Sequence, residues 1–260
     1  MSGNGTSTTA PKRRFRRSGH AYGEIEELLS GVERKGLCLD MPAGKGVNYE
    51  GIRNAGFTPV EADLYPGRAG PPEAWRVKMD FVGRLPFLDR AFASVLCSEG
   101  IEHHPAQTDL VREFHRILAP GGSLLITTPN TLNLRARWSI ACNGHYSYRN
   151  GEVSEVSQFW EAPDGTGTFV GHAHMIDFFE LRFILKTNGF EIVEVTTAKY
   201  SSSSVMLLPL MYVPVWVATR RLLRKYVSKH PQIYRELWEG ALSKELLLGK
   251  KLIVLARKVG

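Results

Sequence analysis

Four apolar runs in the first half of this chain each end in groups that can do chemistry. Leu37-Cys38-Leu39 closes in Asp40, Pro59-Val60-Glu61-Ala62 in Asp63, and Val77-Lys78-Met79 in Asp80 beside Phe81. The fourth, Phe92-Ala93-Ser94-Val95-Leu96-Cys97, runs into Ser98-Glu99-Gly100-Ile101-Glu102-His103-His104. Carboxylates can accept hydrogen bonds from ribose hydroxyls and offset a positive charge. Imidazoles can take a proton from a reacting hydroxyl. After Asp40 comes Met41-Pro42-Ala43-Gly44-Lys45-Gly46, a turn whose small residues let backbone approach a ligand.

These groups need a frame that brings strand ends together. Apolar runs predict strands over 37–40, 58–64, 75–81, 92–97, 123–128, 190–197 and 250–257. Helical spacing predicts helices over 21–32, 47–57, 109–118 and 175–188. The fourth strand is apolar throughout, as a strand buried on both faces should be. The alternation predicts an α/β fold: a seven-stranded, mostly parallel sheet with helices on both faces. Ligands of such sheets lie beyond the carboxyl ends of the strands. That is where Asp40, Asp63, Asp80 and the Glu/His cluster fall.

At 260 residues, with 43% hydrophobic residues, the chain is long and apolar enough for a globular core. Its net charge is +7, but Lys12, Arg13, Arg14, Arg16 and Arg17 supply five of those charges with no nearby acid. Residues 1–20 are therefore expected to be a disordered basic tail, and 21–260 one nearly charge-balanced domain. The totals give no basic groove for a nucleic acid, and only Arg135, Arg137 and Arg149 could line an RNA-facing mouth. Cys38, Cys97 and Cys142 make no metal or disulfide pattern, which fits a cytoplasmic location.

A rim of acids suits a cation better than a phosphate, and no Gly-Lys-Ser/Thr element is present. S-adenosylmethionine (SAM), with its sulfonium, its ammonium and two ribose hydroxyls, fits that rim. On Leu39-Asp40-Met41-Pro42-Ala43-Gly44-Lys45-Gly46, Glu61-Ala62-Asp63-Leu64, Met79-Asp80-Phe81, Leu85-Pro86-Phe87 and the blocks from Ser98 to His104 and Leu118 to Ile126, the chain resembles class I SAM-dependent methyltransferases. The resemblance implies a Rossmann-like sheet whose last strand is antiparallel. It also implies a methionine site at Asp40, Pro42, Ala43, Gly44 and Gly46, and a ribose site at Asp63 and Leu64. Asp80 and Phe81 would meet the adenine, with Ser98 and Glu99 beside the cofactor. Pro42 departs from the family, which usually has glycine there, and so could reshape the turn.

Residues 131–174 are expected to form a lid or substrate region. Thr128-Pro129-Asn130-Thr131-Leu132-Asn133, Gly171-His172-Ala173-His174 and Phe178-Phe179-Glu180 resemble methyltransferases encoded with bacterial surface-polysaccharide enzymes. His103 or His104 is the expected base, with His172 or His174 as partner. A second reading of the same cluster is a divalent metal (Mg, Mn or Zn) on Glu99, Glu102, His103 and His172. The expected reaction is O-methylation of a glycan or glycolipid. A quinone, phenol or other lipid-like acceptor, a metal-dependent RNA 2′-O-methyltransferase, and a non-catalytic SAM-binding protein are the alternatives.

Residues 201–249 are expected to be a helical insertion between strands six and seven. Within it, 205–218 carries no charge, and Arg220, Arg221, Arg224, Lys225 and Lys229 come next. Fourteen helical residues reach only ~21 Å, short of the ~30 Å hydrocarbon core, and Pro209 and Pro214 are expected to break the helix. The segment 205–229 is read as a peripheral contact with the inner membrane face, or as a packed cap or homodimer contact.

Overall fold

A computed structural model describes residues 22–65, 71, 74–146, 159–161, 167–169, 171 and 174–260. The tail at 1–20, Arg149, His172 and nearly half of the expected lid lie outside the described residues.

The strands are β1 (Leu37–Asp40), β2 (Thr58–Asp63), β3 (Trp75–Lys78), β4 (Phe92–Ser98), β5 (Leu118–Pro129), β6 (Phe159–Glu161), β7 (Gly167–Phe169), β8 (Phe190–Thr196) and β9 (Lys251–Lys258). Seven of them form one sheet in the order β3-β2-β1-β4-β5-β9-β8. The pairs among β1 to β5 are parallel, and β9 runs antiparallel to both β5 and β8. The expected mixed sheet is therefore present. The sequence pattern gave no sign of the hairpin β6–β7, which forms a separate two-stranded sheet inside the lid region.

The helices are α1 (Tyr22–Ser30), α2 (Tyr49–Asn54), α3 (Gln107–Ile117), α4 (Leu134–Asn143), α5 (Phe178–Thr187), α6 (Ser202–Leu223), α7 (Pro231–Leu242) and α8 (Lys244–Leu248). Successive strand residues point to opposite faces, and the core divides accordingly. Leu39, Val95, Cys97, Leu124, Ile126, Leu252 and Val254 pack on one face with Leu110, Phe114 and Leu181 of α3 and α5. Cys38, Leu96, Leu125, Ile253 and Leu255 pack on the other with Ile25, Leu29 and Ile52 of α1 and α2. Two buried faces explain why these strands read as nearly continuous apolar runs.

One expectation about the insertion is overturned. Pro209 and Pro214 do not break the helix: α6 runs unbroken for 22 residues. Each proline leaves a carbonyl four residues back, at Val205 and Leu210, without an intrahelical donor. Val205 and Leu210 are exposed, so the freed carbonyls are not trapped in the protein core. The helix starts on Ser201, whose side chain accepts from the Ser204 amide, a regular N-cap.

Asn130 and Asn133 tie the insertion to the sheet. The Asn130 side-chain amide donates to the carbonyls of Glu245, Leu246 and Gly249 at 3.1, 2.9 and 2.9 Å. Asn133 caps α4 by accepting from the Ala136 amide and also accepts from the Ser204 hydroxyl. The Pro-Asn block after β5 thus fastens α6 and α8 beside the carboxyl edge of the sheet.

Candidate active site

Parallel pairing sets Asp40 beside Glu61 and Leu96 in register, so the ends of β1, β2 and β4 share one edge. After β1 the chain turns sharply. Gly44 and Gly46 adopt φ of +54° and +71°, the left-handed region where glycine carries no steric penalty. No atom lies within 4 Å of the place a Gly44 side chain would occupy. The turn is tied to β2: Ala43 N–H donates to the Ala62 carbonyl, and Gly44 N–H donates to Asp63 Oδ2 at 2.8 Å. Asp63 Oδ1 accepts from Tyr65 N–H, also at 2.8 Å. Each carboxylate oxygen has two acceptor sites, so Asp63 keeps capacity for two more donors.

Asp40 lies beneath this turn. It is fully buried, and its two oxygens each accept from the Asn48 side-chain amide at 3.3 Å. Burial, and after it the negative charges of Glu61 and Asp63, push its pKa up to about 8 against the Asn48 hydrogen bond. The buried carboxyl is therefore mostly protonated at neutral pH, and a cation bound in the turn would favour release of its proton. Asn48 gave no signal in the sequence, because nothing local distinguishes it from a helix cap.

Pro42 fits without a left-handed backbone. The chain makes room for its ring at Gly100, where any side chain would collide with Pro42. Pro42 and Gly100 lock the β1 turn to the β4 turn.

Asp80 is exposed after β3 and accepts from Val82 N–H at 3.2 Å. Phe81 is half-buried, and its carbonyl accepts from His104 Nε2 at 3.0 Å. His104 Nδ1 accepts from Ala106 N–H at 3.0 Å, so the ring proton sits on Nε2 and both nitrogens are engaged. Burial lowers the His104 pKa below the ordinary imidazole value, which keeps the ring neutral. The structure places this expected base as a strut between the β3 and β4 loops.

His103 differs. It closes a short 3-10 turn, Ile101–His103, and its Nδ1 lies 3.1 Å from the Gly171 carbonyl. A carbonyl only accepts, so Nδ1 donates to it. His174 comes close through its backbone: its N–H donates to the Glu102 carbonyl, and its own carbonyl accepts from Gln107. His174 also lines an open groove of about 670 Å³ with Met175, Phe179, Glu180 and Phe183.

The two glutamates are occupied separately. Glu99, in the left-handed region at φ +52°, pairs with Lys251 at 3.1 Å and accepts from the Thr127 hydroxyl at 3.3 Å. Glu102 is buried and accepts from the Thr128 hydroxyl at 3.0 Å, while its Oε1 has no hydrogen-bond partner. Burial, and then the charge of Glu99, push Glu102 up to about 8. Among the described residues, no group of three or more His, Cys, Asp or Glu side chains is placed to hold a metal ion. Glu99, Glu102 and His103 thus do not form the expected ligand set, and His172 lies outside the described residues. Thr127, Thr128 and Lys251 are the site-edge residues that sequence reasoning missed. Only the position of the threonines at a strand end could have pointed to them.

A family model described as a methyltransferase domain matches residues 13–195. The chain belongs to the methyltransferase-domain family. Its fold is the Rossmann-like one shared with solved SAM-dependent methyltransferases of class I. A demethylmenaquinone methyltransferase of Renibacterium salmoninarum is 30% identical over 92 residues, 34% of this chain and 39% of that protein. The matched part is thus well under half of that relative. Among solved structures, a SAM-dependent methyltransferase of Archaeoglobus fulgidus superposes with a TM-score of 0.55 at 15% identity, covering 92% of this chain and 93% of the other. The Burkholderia thailandensis 1,6-didemethyltoxoflavin-N1-methyltransferase, solved with S-adenosylhomocysteine, gives 0.51 at 14%, covering 92% and 79%. At such identities these neighbours speak for the fold.

The residues present fit SAM. The open left-handed turn at Gly44 leaves room for a close ligand, and Asp63 retains acceptor capacity. When bound, SAM supplies a methyl group on a sulfonium.

Proposed function

We propose that this methyltransferase-family protein acts on a hydroxyl of a glycan or glycolipid, with His103 as the base that receives the hydroxyl proton. The observation that carries the reading is the His103 ring, held through Nδ1 by the Gly171 carbonyl just after the carboxyl end of β4. A sugar hydroxyl is a poor nucleophile until its proton leaves, and a positioned imidazole contributes typically about 10²- to 10⁴-fold. Gly171 belongs to the segment that leads into α5, so the placement of that segment and of the base are coupled. Asp63 and the Gly44 turn would hold the cofactor.

A second reading has its own support. The relative from Renibacterium salmoninarum is named for demethylmenaquinone, so a quinone-type ring is the competing acceptor.

The test is turnover of His103→Ala beside its SAM affinity measured by calorimetry. Turnover should fall about 100-fold or more with the affinity for SAM kept. Loss of SAM binding would make His103 a structural residue and defeat the reading. An acceptor screen of nucleotide sugars, glycolipids and quinones, run with and without chelator, separates the two acceptor classes.

A further inference from the structure

Helix α6 is apolar on the side that faces away from the protein. Ser204, Val215, Thr219 and Leu223 form its buried stripe, joined by the partly covered Leu208 and Met211. On the opposite side Met206 is 77% exposed and Leu210 and Val213 are each 63% exposed. A soluble helix carries polar residues on that side. Here the first charge in the helix is Arg220, close to its end.

The end of the helix and the chain beyond it are equally one-sided. Arg220, Arg221, Arg224, Lys225 and Lys229 are all exposed. No Asp or Glu occurs between Glu194 and Glu236. An apolar face that continues into a cluster of cations, with no acid to neutralise it, matches one partner chemistry: hydrocarbon beneath anionic headgroups. Tyr212, also exposed, is an aromatic group suited to the headgroup level.

We propose that α6 docks flat on an anionic membrane surface, its Met206–Leu210–Val213 side in the outer acyl region and its basic end among the headgroups. At 22 residues, ~33 Å, α6 is long enough to cross a bilayer, but its neighbours forbid that. Its Ser204 end is bonded to Asn133 and Arg135 at the sheet edge. Along its length α7 packs back against it, with Trp216 and Trp238 in edge contact at 6.0 Å. Helix α7 carries Arg235, Glu236 and Glu239, and Glu236 is paired to Arg182 and Lys186 of α5. Spanning would drag those charges and the catalytic domain into hydrocarbon. Lying in the interface leaves α7 on the protein side. The proposal holds whichever acceptor is methylated, and it would hold the domain close to a lipid-borne substrate.

The experiment is co-flotation of the full chain with vesicles of phosphatidylcholine alone and of phosphatidylcholine mixed with phosphatidylglycerol. The wild type should float with the mixed vesicles and remain in solution with the neutral ones. Two variants should each lose binding about tenfold or more, since each removes one of the two attractions: Met206→Ser/Leu210→Ser/Val213→Ser, and Arg220→Gln/Arg221→Gln/Arg224→Gln/Lys225→Gln. Unchanged circular dichroism and SAM affinity would show that both still fold. A third variant, with Lys12, Arg13, Arg14, Arg16 and Arg17 changed to Gln, should still float. Failure of the wild type to float, retention by either α6 variant, or loss in the tail variant would overturn the proposal. So would light scattering showing a dimer that the Met206/Leu210/Val213 variant dissolves, which would assign this face to a second copy of the chain.

Discussion

Gly100 sits against the ring of Pro42 so closely that a Cβ there would stand 2.2 Å from Pro42 Cδ and 2.9 Å from Cγ. The two turns that flank the cofactor site, one after β1 and one after β4, are therefore keyed to each other. Gly100→Ala should lower SAM affinity and cost about 1 to 3 kcal/mol of stability, the usual range for overpacking. The double variant Pro42→Gly/Gly100→Ala should regain most of both. Thermal melts and SAM titrations of the two single variants and the double check this. A double variant no better than Gly100→Ala alone would shift the clash to Cys97 Sγ, 3.2 Å from the same Cβ.

This pairing shows what a sequence can and cannot carry. Pro42 is visible as a departure in a glycine-rich turn, but its partner lies 58 positions on and is joined to it only by the parallel pairing of β1 with β4. The strands are legible because burial on both faces makes them continuous apolar runs. Their acidic ends are legible because polar groups break those runs. Asn48, Thr127, Thr128 and Lys251 are not, since each becomes a site-edge residue only through a contact distant in sequence or structurally unremarkable in spacing. His103 and His104 are neighbours of one type, and only the hydrogen bonds to Gly171, Phe81 and Ala106 tell them apart. Helix α6 departs from expectation because propensity condemns internal prolines, whereas both face solvent here.

Glu102 makes stability depend on pH in a direction that can be worked out. Its folded pKa of about 8 lies above the ordinary glutamate value of 4.5. Between those two values the folded state holds a proton that the unfolded state has released. The contribution is complete below pH 4.5 and is lost as pH rises through about 8. Glu102→Gln keeps an uncharged side chain at every pH and can still accept from Thr128. Relative to wild type it should therefore gain on the order of 2 kcal/mol between pH 6 and pH 9, several degrees in Tm. Melting curves across that range test it, and a constant offset would show that Glu102 is ionised in the folded protein.

His104→Ala removes the strut between Phe81 and Ala106. The Phe81 carbonyl and the Ala106 N–H each lose a partner, at a cost of about 1 to 3 kcal/mol in stability. Because the strut positions the β3 loop rather than a reacting atom, KM for SAM should rise while kcat at saturating SAM stays within a few-fold. A collapse of kcat with KM unchanged would instead make His104 part of the proton-transfer machinery.

Asp63 joins the glycine turn to β2 by accepting from both Gly44 and Tyr65. Asp63→Asn conserves shape but offers a single acceptor oxygen, so one of those N–H groups faces an amide donor. The negative charge expected at the ribose hydroxyls is lost as well. Hydrogen bonds to a charged group contribute about 1.5 to 3 kcal/mol, which corresponds to a SAM dissociation constant raised roughly 10- to 100-fold. Calorimetry should find that loss, and the same variant should weaken binding of S-adenosylhomocysteine by a similar factor, because the two share the ribose and differ at the sulfur. Equal affinity of wild type and Asp63→Asn for both ligands would remove Asp63 from the cofactor site.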